Sequence, residues 1–269
     1  MRISVGLGVV SLAFSWQVAL AQADEVGLSD VLNGEHRSAA NQARDAFRHP
    51  AKTLTFFDVQ PTHAVVEIWP GKGWYTEILA PWLRDRGQLY AAHFDPESHV
   101  AFFQQGRAKF DAKLAAQPAL YNQVIVTTLG PPKAVAIAPE GGVDRVLTFR
   151  NVHNWLKSGT ATQVFAAMFK ALKPGGILGV VEHRAAPDTS LAVQIETGYV
   201  TERQVKELAQ QAGFRYVAAS EINANPKDSK DYPAGVWTLP PTLRLKAQDR
   251  ARYQAIGESD RMTLKFAKP

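Results

Sequence analysis

The chain has 269 residues, 30 Lys and Arg against 25 Asp and Glu, no cysteine and 46% hydrophobic residues. That apolar fraction is too high for a disordered chain, and the lack of cysteine excludes disulfides, thiolate metal sites and a cysteine nucleophile. A formal charge of +5 without a long basic run argues little for nucleic acid, and no nucleic-acid partner is expected.

Residues 1–23, MRISVGLGVVSLAFSWQVALAQA, read as a signal peptide. Arg2 forms the positive start, an apolar stretch runs from Ile3 to Leu20, and Ala21-Gln22-Ala23 satisfies the small-x-small rule for cleavage after Ala23. A retained N-terminal anchor is the alternative. Cleavage removes Arg2 and lowers the net charge to +4 (29 basic against 25 acidic residues). No later stretch approaches the ~18 uninterrupted apolar residues of a membrane span, so a periplasmic or secreted protein without a span after cleavage is expected.

Behind this segment the pattern alternates. Residues 30–47 predict a helix with Ala39, Ala43, Ala46 and Phe47 on one face, ended by His49-Pro50. Residues 64–68 (AVVEI) form a short buried strand, and 75–83 a helix with Ile78, Leu79, Trp82 and Leu83 inward. A second strand follows at 88–94, stopped by Asp95-Pro96. Then come a helix over 97–116, a strand over 123–128, a proline-rich loop over 130–142 and a strand over 143–149 (VDRVLTF). A helix over 161–172 leads through Lys173-Pro174-Gly175-Gly176 into a strand at 177–181. Thr201 and Gln204 form a capping-box pair opening a helix that Gly213 closes. Strands at 214–218 and 262–266 complete the set, and residues 223–257 between them read as an insertion with a helix over 243–253. That insertion is either a lid over a pocket or a solvated excursion. Short β-branched runs separated by helices imply βαβ units, a mostly parallel sheet, and a ligand at the carboxyl ends of its strands.

The turn after the first strand reads Glu67-Ile68-Trp69-Pro70-Gly71-Lys72-Gly73-Trp74-Tyr75-Thr76. Gly71 and Gly73 allow close backbone approach, and the following helix offers free N–H groups. A dinucleotide fingerprint would need Gly where Thr76 stands, and Glu67 would repel a pyrophosphate but attract a cationic or zwitterionic ligand.

This turn resembles motif I of class I S-adenosylmethionine-dependent methyltransferases. Asp95, the run from Val143 to Trp155, the run from Leu172 to Leu178, and the stretch from Thr201 to Phe214 match later motifs of that family in order. The Trp-Pro-Gly and Arg-Asn-x-His-Asn-Trp blocks resemble an exported subset of it. The resemblance covers about residues 60–218. It implies a doubly wound, Rossmann-like α/β fold with a seven-stranded sheet and an antiparallel C-terminal strand, preceded by a helical extension at 24–58. It also implies S-adenosyl-L-methionine as cofactor. Two departures stand out: Trp69 replaces the first glycine of the motif, so its side chain must point away from the ligand or narrow its site, and strand three lacks the usual acid before the adenine contact.

Under the resemblance, Glu67 accepts from the ammonium group of the methionine portion, and Pro70, Gly71, Gly73, Trp74 and Tyr75 form the turn against the cofactor. Thr76 bonds the cofactor carboxylate or caps the helix, Asp95 takes the ribose diol, and Arg150 and Asn151 lie beside the methyl group. His153 is a general-base candidate or a hydrogen-bonded structural histidine. Glu182 and His183 face the same pocket as candidate catalytic groups. Their spacing does not make a metal site, and none is expected. His36, Arg37 and His49 are expected on the solvated surface. The leading function is methyl transfer to a small-molecule or envelope substrate. A non-catalytic ligand-binding protein on the same fold is the alternative. A nicotinamide oxidoreductase is opposed by Thr76 and Glu67, and hydrolase motifs are absent from the sequence.

Overall fold

A computed structural model describes residues 27–269; the signal-peptide reading lies outside the described residues. Seven strands form one sheet in the order β3-β2-β1-β4-β5-β7-β6. β1 (Ala64–Ile68), β2 (Gln88–His93), β3 (Ile125–Thr128), β4 (Val143–Phe149) and β5 (Leu172–His183) are parallel. β7 (Arg261–Ala267) inserts antiparallel between β5 and β6 (Arg215–Ser220). This is the doubly wound α/β architecture the sequence led us to expect.

Strand periodicity sets the two cores. Val65 and Leu147 face one side of the sheet; Val66 and Val146 face the other. The first side packs against α4 (Pro50–Phe56) and α5 (Thr76–Leu83) through Leu54, Ile78, Leu79 and Leu83. The second packs against α8 (Val152–Ser158), α9 (Ala161–Ala171) and α11 (Glu202–Gln211) through Trp155, Phe165, Met168 and Val205. Central strands buried on both faces carry apolar residues at consecutive positions, Val65-Val66 in β1 and Val146-Leu147 in β4, which makes them legible. Truncating Leu79, fully buried, to Ala would cost about 2–5 kcal/mol.

Several expectations need correction. The helix predicted over 30–47 is three short pieces, α1 (Leu28–Asn33), α2 (Ala39–Gln42) and α3 (Asp45–Arg48). Gly34 breaks the first, Ser38 caps the second through Asn41 N–H, and Ala39, Ala43, Ala46 and Phe47 line no buried face. His49 takes a left-handed conformation (φ 40) that ends α3 and starts α4 at Pro50. From Val152 onward the block from Arg150 to Trp155 is α8, a helix not foreseen in the sequence. The helix predicted over 97–116 starts only at Ala101 (α6, Ala101–Ala116), and the one over 243–253 shifts to Arg250–Ile256 (α12). α7 (Pro118–Tyr121) and α10 (Leu191–Thr197) were not foreseen. Arg37 is 3% exposed rather than solvated, because Asp45 holds its guanidinium through two hydrogen bonds. His36 bonds the Glu77 carbonyl at 2.9 Å. Among the described residues no helix is long and apolar enough to cross a membrane.

Candidate functional site

β1 leads to β2 on one side and pairs with β4 on the other, so the connections behind the carboxyl ends of β1 and β4 diverge and open a crevice at this switch point. A cavity of about 410 Å³ occupies it, within the range of small-molecule sites. Its floor is Glu67, Pro70, Gly71, Trp74 and Tyr75; Arg150, Asn151 and His153 come from the end of β4 and α8, and His183 from β5. Asn41, Arg44 and Arg48 of the N-terminal segment and Trp237, Pro240 and Pro241 of residues 223–257 also line it.

Gly71 and Gly73 both have positive φ (61° and 75°). A Cβ on Gly71 would meet nothing within 4 Å, so the residue keeps the cavity open. A Cβ on Gly73 would instead press on Phe110 and Thr76. Gly73 therefore serves the packing of the turn and does not line the cavity. Glu67 is 2% exposed and accepts the Thr76 hydroxyl at 2.7 Å. Burial pushes its carboxyl up to about 7, against the partial relief of that hydrogen bond and of Lys113 and Arg48. Thr76 thus spends its hydroxyl on Glu67. Tyr75 stacks on Phe149, ring centroids 3.6 Å apart, as one wall.

Trp69 is also left-handed (φ 44). Its indole Nε1 donates to the Leu129 carbonyl at 3.0 Å, and the ring packs on Phe94, Phe103 and Trp155. The side chain lies across the tips of β1 and β3 and narrows that end of the cavity without filling it. Asp95 does not line the cavity, although its neighbour Phe94 does. The Asp95 carboxylate accepts the Glu97 N–H at 2.9 Å, the ordinary work of a turn aspartate.

Asn151 donates to the Ile68 carbonyl (2.9 Å) and the Thr148 hydroxyl (3.2 Å), tying the tips of β1 and β4 together. Arg150 is held at φ 62. Burial and the like charge of Arg261 pull its guanidinium down to about 10.

His153, Glu182 and His183 are brought together, their ligand atoms within 4.8 Å of one another. Glu182 is fully buried and does not reach the cavity. It accepts the Val152 N–H (2.5 Å), the His153 N–H (3.3 Å), the His183 N–H (2.8 Å) and the His153 ring Nδ1 (3.1 Å). Those bonds consume its lone pairs and orient the His153 ring, a positioning role. His183 Nδ1 pairs with the Ser259 hydroxyl at 2.5 Å. Burial, then the adjacent His153, holds His183 well below the usual histidine range, so it is neutral near pH 7.

Sequence reasoning missed Arg44 and Arg48. Their partner Glu258 lies 214 and 210 residues away, which no local signal encodes.

No protein-family model and no curated protein matches the chain in sequence. Solved structures do match. A S-adenosylmethionine-dependent methyltransferase from Aquifex aeolicus superposes with TM-score 0.54 at 16% identity, over 73% of this chain and 93% of that one. The fold is that of the class I methyltransferases. The cyclase SpnF shares it, with TM-score 0.58 at 17% identity over 88% and 86% of the two chains. So does geranyl diphosphate methyltransferase in complex with S-adenosylmethionine, with TM-score 0.51 at 14% identity over 90% and 95%. Within this methyltransferase fold, the cavity lies at the switch point where such sheets bind ligands.

Proposed function

We propose that the protein is an exported S-adenosylmethionine-dependent methyltransferase acting on a small-molecule or envelope substrate. The observation that carries this reading is the pairing of a buried carboxylate, Glu67, whose side-chain hydrogen bond comes, among the described residues, from Thr76 alone, with the open backbone of Gly71 at the floor of the cavity. A buried carboxylate that burial pushes toward neutrality gains most from a cationic ligand group, such as the ammonium of the cofactor's methionine portion. Gly71 leaves the room that portion needs, and the aromatic side chains Phe94 and Phe103 offer the base an apolar wall. The residues present therefore fit the cofactor. Glu67, Gly71 and Tyr75 would hold it, with Arg150 and Asn151 at its methyl end.

When bound, the cofactor supplies a methyl group on a sulfonium, a good leaving group. The chain's part is to position the acceptor and strip its water; positioning can be worth about 7–11 kcal/mol of a barrier. Asn151 fixes the separation of the two strand tips. His153, aimed by Glu182, can take the proton that a hydroxyl or amine acceptor loses. His183, held neutral by burial, can hydrogen-bond the acceptor in the cavity. The insertion, through Trp237 and Pro240, excludes water.

Trp69 favours a second reading. Its indole occupies part of the end where the family's adenosine contacts gather, and a cyclase, SpnF, shares the fold. On that reading the protein binds a ligand without transferring methyl. Calorimetric titration with S-adenosylmethionine and S-adenosylhomocysteine, followed by incubation of labelled cofactor with envelope extract, separates the two. Binding with label transfer supports the enzyme; binding without transfer to any fraction supports the second reading. Export is tested by the N-terminal sequence of the protein recovered from the periplasm or medium, expected to begin at Asp24.

A further inference from the structure

We infer that the cavity contains an oxyanion subsite, built by Arg44, Arg48 and Arg150, that binds the carboxylate or phosphate of the methyl acceptor. The identity of the anion as the acceptor rests on the methyltransferase reading; the subsite itself does not. Four guanidiniums, those of Arg44, Arg48, Arg150 and Arg261, gather around Glu258, with Glu182 acting on Arg150 and Glu67 on Arg48 as the other carboxylates nearby. Glu258 pairs with Arg44 at 2.6 Å, with Arg48 at 3.4 Å and with Arg261. One carboxylate cannot satisfy so many donors. Arg44 Nη2 and Arg48 Nη2 are buried and find no hydrogen-bond partner among the described residues. The Arg48 side chain is 4% exposed, and both residues line the cavity together with Arg150.

Buried like charges with unused donors are costly in a fold. Here the cost is substantial: burial, then the charge of Arg150, pulls Arg48 well below the normal arginine range. Arg150 also keeps a left-handed backbone (φ 62) that a non-glycine residue adopts only under constraint. Arg48 is held in place by the face of Trp74, 4.5 Å below its guanidinium. Fixed, desolvated guanidinium forks are the groups that recognise carboxylate and phosphate. A void of about 10 Å³ between Arg48, Arg150 and Arg261 has room for one water at most, so an oxyanion belongs in the larger cavity. S-adenosylmethionine does not balance this charge, because its ammonium and sulfonium outnumber its carboxylate. A net anionic acceptor does.

The test uses benzoate and inorganic phosphate as probes, with neutral benzamide as control, titrated calorimetrically into the whole protein. It is run without cofactor and again with S-adenosylhomocysteine saturating. The expected result is that benzoate, phosphate or both bind in each condition, that benzamide does not, and that Arg48→Met and Arg44→Met each weaken anion binding on the order of tenfold or more. Arg44 is the safer variant for folding, its side chain being 24% exposed. Preference for one probe assigns the headgroup. Three results would overturn the inference: no anion binding, anion binding indifferent to both variants, or anions competitive with S-adenosylhomocysteine. The last would give the arginines to the cofactor's own carboxylate. If S-adenosylhomocysteine itself does not bind, the methyltransferase reading fails while the cofactor-free arm still decides the subsite.

Discussion

Glu67→Gln separates folding from ligand binding at the floor of the cavity. The amide keeps the size of the side chain and can still accept the Thr76 hydroxyl, but it cannot ionise. A carboxyl held near 7 rather than at its ordinary 4.5 keeps its proton in the folded chain while the unfolded chain releases it. Wild-type stability therefore falls as pH rises through that window and levels off above 7. At about 1.4 kcal/mol per pH unit, the full penalty is ~3 kcal/mol. The stability of the Glu67→Gln variant relative to wild type should rise by about that amount between pH 4.5 and pH 8, measured by urea unfolding without ligand. The same substitution should weaken S-adenosylhomocysteine binding by about 1.5–3 kcal/mol, the worth of a hydrogen bond to a charged group. A difference that stays flat with pH would mean that Glu67 is ionised and satisfied in the fold, and the argument for a cationic ligand group there would be lost.

Other expectations follow from the same geometry. Gly71→Val should lose S-adenosylhomocysteine binding in calorimetry as the side chain intrudes on the cavity; its Cβ meets no protein atom, and the strain of a branched side chain at φ 61 is read separately as a drop in Tm. Glu258→Gln should destabilise the chain by about 3–5 kcal/mol in chemical denaturation, since it leaves buried guanidiniums uncompensated. Arg261, Arg48 and Arg150 overcome burial to hold the Glu258 carboxyl well below the usual range, so its contribution is complete above pH 4.5 and lost as pH falls toward the folded value; acid unfolding of the wild type should begin below pH 4.5. Glu182→Gln should cost about 1–3 kcal/mol for each backbone N–H it orphans, read as a drop in Tm. Trp69→Gly should raise S-adenosylhomocysteine affinity by widening the narrowed end, while costing less than the about 3–5 kcal/mol of a buried Trp truncation, because glycine accepts the left-handed backbone.

The parts of the molecule that were readable are those whose signal is local. β1 and β4 announce themselves as short runs of β-branched and apolar residues, β1 with Pro70-Gly71 behind it; Thr201 caps its helix through Gln204 N–H, but the return bond of a capping box is replaced by Thr201 N–H to Gln194 Oε1. The glycine turn was legible because Gly71 and Gly73 take backbone angles that few other residues tolerate. Where the partner lies far along the chain, the sequence is silent. Arg37 and Arg48 look like surface residues and are buried by carboxylates. α8 hides among polar residues because His153 and Asn151 turn toward Glu182 and Ile68, contacts that exist only once the sheet is assembled. Asp95 has the right position for a ribose but finds a nearer donor in its own turn. Trp69 shows the limit most clearly: its type was plain in the sequence, and only the packing among Phe94, Phe103 and Trp155 set where the indole lies.

The proposed function requires that the crevice between β1 and β4 receive a sulfonium nucleoside. Titrating S-adenosylhomocysteine into the purified protein, beside the Gly71→Val variant, tests this directly. Saturable one-to-one binding that the valine abolishes is the predicted outcome; no heat from the wild type, or equal heat from both, would contradict it.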